Sequence, residues 1–155
     1  MRVAVVGASG FLGRAAVAAL QAAGHAVVGV SRGRRSRADA IEWRQADATR
    51  GGPALQEALA GCDAVVNLVG VKRPDDAQDL AAAHVTAVRA LLAAMRAAGV
   101  SRLIHVSVAG LVDDPRRPYL ATKAAGEREI LSSETAWTIL RPGPVFGVGD
   151  DLVSN

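Results

Sequence analysis

The sequence predicts an α/β domain, a doubly wound parallel sheet with helices on both faces. Three observations lead there. Short β-branched runs alternate with long alanine–leucine stretches along the chain, the signature of successive βα units. The runs are apolar almost throughout, as parallel strands are when helices cover both sides of the sheet. A glycine-spaced turn, Gly7-Ala8-Ser9-Gly10-Phe11-Leu12-Gly13, joins the first run to the first helical stretch. A chain of 155 residues is long enough for one real core, burying roughly 70% of its unfolded surface.

Arg2–Val6 opens the chain as a buried strand, too short for a signal peptide or a membrane span. Phe11–Ala23 follows as a helix, and Gly24 stands where a left-handed residue ends it. Ala26–Val30 and Ile41–Gln45 are the second and third strands, and Ala54–Ala60 is a short helix. Ala64–Leu68 is the fourth strand; the long alanine-rich stretch Asp79–Ala98 is a helix stopped by Gly99. Arg102–Ser107, Pro118–Ser132 and Trp137–Leu140 complete the alternation as strand, helix and strand. Parallel strands need crossovers, and these are nearly always right-handed, so a doubly wound sheet is the economical arrangement. No repeat or low-complexity linker divides the chain, so residues 1–155 form one domain. After Leu140 the tail forms no obvious closing element, and the chain is expected to end early.

Composition excludes several classes. With 50% hydrophobic and 21% charged residues the chain is neither disordered nor membrane-spanning. Aromatics make up only 3%, which argues against an aromatic-rich sandwich and against a base-stacking nucleic-acid platform. Cys62 is the single cysteine, so an internal disulfide and a multi-cysteine zinc site are excluded and a reducing cytoplasm is the expected home. His25 and His105 lack partners at metal-ligand spacing, so no metal is expected. The net charge of +3 is local: Arg32, Arg34, Arg35 and Arg37 crowd together, while Lys72 and Lys123 are the only lysines. A nucleic-acid binder spreads its positive charge along a face. One tight cluster suits a specific anionic group such as a phosphate.

The glycine turn supplies the matching site. Gly7 permits the tight turn, Gly10 lets backbone approach a pyrophosphate, and Gly13 lets the helix pack close to the sheet. With Ser9, Phe11 and Leu12 they put free N–H groups and the positive helix end toward phosphates. Alone, the spacing also suits an ordinary glycine-rich turn; directly after the first strand it points to a Rossmann dinucleotide-binding domain. The second strand runs into Ser31-Arg32-Gly33-Arg34-Arg35, with no acidic residue to accept the adenosine ribose hydroxyls. Arg32, helped by Arg14, Arg34 or Arg35, is placed to meet a 2′-phosphate, which favours NADP over the alternative NAD. A solvated arginine loop is the plainer account of the same residues.

Tyr119-Leu120-Ala121-Thr122-Lys123 puts a phenol and an ammonium on one helical face, and Ser107 closes a strand twelve residues earlier. With the glycine turn, this set resembles the short-chain dehydrogenase/reductase superfamily over nearly the whole chain. Ile104-His105-Val106-Ser107, the run from Tyr119 to Glu127, and Ile139-Leu140-Arg141-Pro142-Gly143-Pro144-Val145-Phe146-Gly147 are similar to the extended and atypical branch. That branch includes epimerase-like proteins and the relatives of the NADPH-binding accessory subunit of respiratory complex I.

The resemblance implies roles by position. Asp47, beside Ala48, would bond the adenine amino group. Asn67, Leu68, Val69 and Gly70 would line the adenosine ribose and diphosphate, and Pro142, Gly143 and Val145 would approach the nicotinamide. Tyr119 would be the general acid for a carbonyl oxygen, or the base in reverse. An ordinary tyrosine titrates near ~10, so Lys123 and an oxidised nicotinamide are expected to favour the phenolate. Lys123 would also hold the nicotinamide ribose, and Ser107 would fix the substrate oxygen.

Three departures qualify the match. His84 stands where the family often has an asparagine that organises a proton-relay water; a satisfied or helix-surface histidine is the expectation. Val108-Ala109-Gly110 offers no acidic pair, which disfavours dehydratase chemistry. Relatives continue past the PGPVFG segment into a substrate-binding portion, so a cropped chain, or a homodimer mate or partner chain completing that side, is expected. The functional expectation is an NADP(H)-preferring oxidoreductase or epimerase-like enzyme acting on a small molecule. The alternative is a non-catalytic dinucleotide-binding sensor or assembly subunit.

Overall fold

A computed structural model describes residues 1–33, 40–71 and 80–147. Arg34, Arg35, Arg37, Lys72, the expected helix start at Asp79 and the tail beyond Gly147 lie outside the described residues. Six strands, β1 (Arg2–Val6), β2 (Ala26–Ser31), β3 (Glu42–Gln45), β4 (Ala64–Asn67), β5 (Arg102–Val106) and β6 (Ala136–Leu140), form one sheet in the order β3-β2-β1-β4-β5-β6. Every pairing is parallel. The chain first winds outward from β1 through β2 and β3, then crosses back to place β4 on the other side of β1. The carboxyl ends of β1 and β4 therefore open the crevice where sheets of this kind hold ligands.

Side-chain alternation sorts the core into two layers. Ala4, Val6, Val28, Val30, Val65 and Leu103 face the larger one. It is closed by α2 (Pro53–Leu59), α3 (Ala87–Ala97) and α4 (Pro118–Leu131), which contribute Leu55 and Leu59, Leu91 and Met95, and Ile130. Val5 and Val27 point the other way, under Val17 and Leu20 of α1 (Phe11–Ala22). Leu91 and Met95 are essentially inaccessible; truncating either to alanine costs roughly 2–5 kcal/mol. The helices do cover both faces. Among the described residues no helix is long and apolar enough to cross a membrane.

Most element ends fall within a residue of expectation, and two departures are informative. Arg44 on β3 donates from Nη1 to the carbonyls of Glu57, Ala58 and Ala60 at 3.0, 3.2 and 2.8 Å. It thereby satisfies orphan groups at the end of α2, where no basic residue of the helix does so. The long central helix is also not uniform. A π-helical turn, Ala82–Thr86, precedes α3. At that turn the backbone comes so close to α4 that a Cβ on Gly126 would sit 2.1 Å from the His84 carbonyl oxygen. The wide turn and the bare glycine together bring two helices into near contact below the crevice.

Candidate functional site

The glycine turn leaves β1 and passes beneath the start of α1. Gly7 donates its N–H to the Val30 carbonyl at 3.0 Å and bends away at φ +89°. A Cβ there would lie 3.1 Å from the Leu68 carbonyl carbon, so the turn and the β4 exit run almost backbone to backbone. Gly13 is tighter still: a Cβ would meet the Gly7 oxygen at 2.2 Å. No side chain caps α1 at Gly10, and helix geometry gives the first-turn N–H groups no intrahelical acceptor. The Arg14 guanidinium donates back to the Ser9 carbonyl at 3.2 Å, fixing the loop from its outer side.

A cleft of about 960 Å³ runs from this turn across the strand ends. That is at the large end of the ~300–1,000 Å³ typical of small-molecule sites. Gly7, Gly10, Phe11, Leu12 and Gly13 form one end, and Leu68, Val69 and Gly70 form the floor. Ser107, Tyr119 and Lys123 stand on the far side with Pro142, Gly143 and Val145. The structure thus brings fourteen of the expected site residues to one cavity. Ser9, Arg32, Asp47, Ala48 and Asn67 are not on its wall. Val71, Val106, Val108, Ala109 and Pro144 also line it; all but Ala109, two residues past Ser107, adjoin an expected residue, and only that nearness hinted at them.

Asn67 is turned inward and only 2% exposed. Its Oδ1 accepts the Val69 N–H at 3.1 Å, and its Nδ2 lies 3.0 Å from Nδ1 of buried His105. An amide nitrogen can only donate, so His105 carries its proton on Nε2. Burial, with the Lys123 charge nearby, pushes His105 down to about 4 despite the opposing pull of Glu127. Asn67 therefore shapes the β4 exit loop from below.

Lys123 is buried, and its ammonium donates to the Val106 carbonyl at 3.3 Å. Burial pushes it down to about 8, against the opposing pull of the Glu127 carboxylate. Tyr119 sits one turn earlier on α4, edge-on to the His84 ring at 5.4 Å and 84°. Burial raises its phenol, and in this structure the Lys123 ammonium turns to the strand-end carbonyl. Ser107 is buried, and its hydroxyl completes no hydrogen bond of ordinary geometry, although it lies near enough to help hold Glu127 low.

His84 is buried, not on the helix surface. Nε2 accepts the Val71 N–H at 3.3 Å, so the proton is on Nδ1, which donates to Thr122 Oγ1 at 2.9 Å. Thr122 passes its own proton to the Pro118 or Tyr119 carbonyl, at 2.8 and 3.0 Å. Burial, reinforced by the Lys123 charge, lowers His84 to about 4. Both ring nitrogens are engaged, so this histidine ties the floor loop to α4.

Beyond the cleft, Asp47 Oδ1 accepts the backbone N–H and hydroxyl of Thr49 at 2.9 and 2.7 Å. Burial pushes Asp47 up, but Thr49 and the charges of Arg32 and Arg50 outweigh it and leave the carboxyl below its ordinary range. Arg32 is exposed, its carbonyl held at 2.9 Å by Gln45 Nε2, and Ala48 is buried. This puts Arg32 and Asp47 together past the ends of β2 and β3.

The residues fit a dinucleotide. The cradle at Gly7, Gly10 and Gly13 is one that side chains would fill, and a buried hydroxyl at the far end lacks a full partner. The profile of a family described as NAD(P)H-binding matches residues 7–146. The chain is 29% identical over 163 residues to "NADH dehydrogenase [ubiquinone] 1 alpha subcomplex subunit 9, mitochondrial" of Mus musculus, covering 97% of this chain and 42% of that one. It is 30% identical over 175 residues to "4-hydroxy-2-methyl-3-oxo-4-farnesyl-3,4-dihydroquinoline-1-oxide ketoreductase" of Stigmatella aurantiaca, covering 97% and 52%. The chain thus spans about half the length, or less, of these curated relatives. Among solved structures, a short-chain dehydrogenase/reductase superfamily protein from Agrobacterium tumefaciens with bound NAD superposes with a TM-score of 0.74. It is 30% identical, over 91% of this chain and 48% of that one.

Proposed function

The chain belongs to the NAD(P)H-binding family, in the extended short-chain dehydrogenase/reductase branch, and on that premise we propose that it serves an oxidoreductase reducing a carbonyl on a small molecule. The observation that carries this reading is the meeting of Ser107, Tyr119 and Lys123 in the cleft that begins at the glycine turn. A reduced nicotinamide, when bound, supplies the hydride. The first-turn N–H groups of α1 hold the diphosphate, and Asp47, Ala48 and Asn67 shape the adenosine side, Asn67 from beneath. Pro142, Gly143 and Val145 wall the nicotinamide end and exclude water.

Tyr119 supplies the proton that a carbonyl oxygen needs as it becomes an alcohol. A buried phenol kept neutral is suited to that donor role. Ser107 holds the same oxygen, and the Lys123 ammonium takes the ribose hydroxyls and restores positive charge beside the phenol. NADP(H) is the preferred cofactor in this reading. Arg32 stands exposed directly after β2, where no acidic residue ends the strand. The lone, buried Cys62 suits a reducing cytoplasm, and the remaining substrate wall comes from a further segment, a homodimer mate or a partner chain. The charge pattern favours no nucleic-acid partner.

The test is NADPH consumption by the purified chain with a panel of 3-oxo compounds. Tyr119→Phe is expected to abolish turnover while leaving the NADPH dissociation constant within about twofold. Equal turnover in that variant removes Tyr119 from the reaction. The likeness to the mouse complex I subunit over 97% of the chain favours a second reading, a dinucleotide-holding module without turnover. Tight NADPH binding that no carbonyl discharges would select it.

A further inference from the structure

One buried acid has no part in the chemistry above. Glu127 lies one turn beyond Lys123 on α4, with its side chain only 4% exposed. Arg141, immediately before the Pro142–Val145 wall, grips it from the other side, with Nε 3.0 and 3.1 Å from the two carboxylate oxygens and Nη2 on Oε2 as well. The Arg141 side chain is half exposed. The pair therefore runs from the protein interior to a half-exposed residue next to the wall. The wall is also tied to β5, because Ser107 and Ala109 donate to the Leu140 and Pro142 carbonyls, both at 2.8 Å.

We propose that Glu127 is a positioning residue of this cleft, its buried carboxylate anchoring Arg141, and through it the Pro142–Val145 wall, one helical turn from the Lys123 ammonium. The inference rests on the cleft assignment above and deepens it. A buried ammonium is costly without a compensating charge. Among the described residues no carboxylate lies within 4.0 Å of Lys123 Nζ. Glu127 is the carboxylate that favours its charged form. Arg141, Ser107 and His105 face that carboxylate from just past β6, the β5 exit and β5, and Lys123 from its own helix. The arginine has a second effect. By neutralising part of the carboxylate it limits how strongly Glu127 can stabilise the lysine.

The two partners should then move Lys123 in opposite directions. The chain has only two lysines, so lysine labelled with ¹³C at the ε carbon gives two NMR signals, and Lys72→Arg identifies the remaining one as Lys123. In that background the Lys123 signal is expected to titrate at about 8. Glu127→Gln is expected to lower the midpoint by roughly 0.5–1 unit, and Arg141→Gln to raise it by a similar amount. Arg141→Gln should also weaken NADPH binding by roughly 3–10-fold, as one charge-assisted contact to the wall is lost. Midpoints that stay put, or that move together, overturn the proposal. If Glu127→Gln does not fold, Arg141→Gln decides alone, a rise supporting the proposal and no rise refuting it. The titration needs no cofactor, so a wild-type chain that fails to bind NADPH would sink the cofactor reading and leave this test intact.

Discussion

Gly13→Ala probes the construction of the phosphate cradle most directly. The new methyl would lie 2.2 Å from the Gly7 oxygen and 2.6 Å from the Ala8 carbonyl carbon and oxygen, where ordinary contact begins at 3.4 Å. All three neighbours are backbone, so no side-chain rotation relieves the clash. The Gly7 oxygen also accepts the Gly10 N–H at 3.0 Å, so pushing it aside opens the turn itself. Alanine regains about 1 kcal/mol of helix propensity. Overpacking against unyielding atoms costs up to ~3 kcal/mol, leaving a net loss of roughly 1–2 kcal/mol. For a domain of this size that lowers the melting temperature by about 3–8 °C. Displacing α1 also takes its first-turn N–H groups off the diphosphate, and losing one such contact weakens NADPH binding by at least ~10-fold. Calorimetric melting and NADPH titration read the two effects. Gly33→Ala is the control, since nothing lies within 4 Å of a Cβ there. A Gly13→Ala protein that melts and binds like wild type would refute the close-packed cradle.

Three further outcomes are expected. Arg32→Ala should weaken NADPH by roughly 10-fold or more while leaving NADH unchanged, read by calorimetry with both cofactors; equal losses would remove the 2′-phosphate role. Asn67→Ala leaves the Val69 N–H and His105 Nδ1 without their present partner and should cost ~2–4 kcal/mol, read as a lower urea midpoint. Stability should fall as pH drops from 6.5 toward 4. His84 and His105 are held neutral to about 4 in the fold, so above 6.5 neither state takes up a proton, whereas below it the unfolded chain binds protons that the native state refuses. Each ring can contribute up to ~3 kcal/mol of that loss, and His84→Gln should flatten the melting temperature's slope across this window.

What could be read from the chain alone was what local spacing encodes. The β1–turn–α1 unit is legible because Gly10 and Gly13 answer contacts back to Gly7, within six residues, and Gly7 answers the left-handed bend of its own backbone. Tyr119 and Lys123 are legible because four residues make one helical turn. The π-helical turn at Ala82–Thr86 was hidden in alanine-rich sequence that reads as continuous helix, and the close contact it makes is with another element, at Gly126. Asn67 was expected toward the cofactor and lies in the core, because its true partner, His105, is on the neighbouring strand. Glu127 and Arg141 are fourteen residues apart on different elements, and no periodicity joins them. The Arg34–Arg37 portion of the arginine cluster lies outside the described residues.

The state of Tyr119 ties these observations to the direction of the chemistry. In the fold the phenol is pushed up by burial while the ammonium one turn away is pushed down and turned to a backbone carbonyl. A site so arranged disfavours charge on both groups. The neutral phenol is ready to give a proton, as reduction of a carbonyl requires, and poorly prepared to take one. Working in reverse as a base would need positive charge brought next to it, from the oxidised nicotinamide or from Lys123 swinging away from Val106. The reductive direction should therefore keep its rate up to high pH, while the oxidative rate should climb as pH rises toward the phenol's range. Parallel pH profiles in the two directions would show that Tyr119 is not the group whose proton moves.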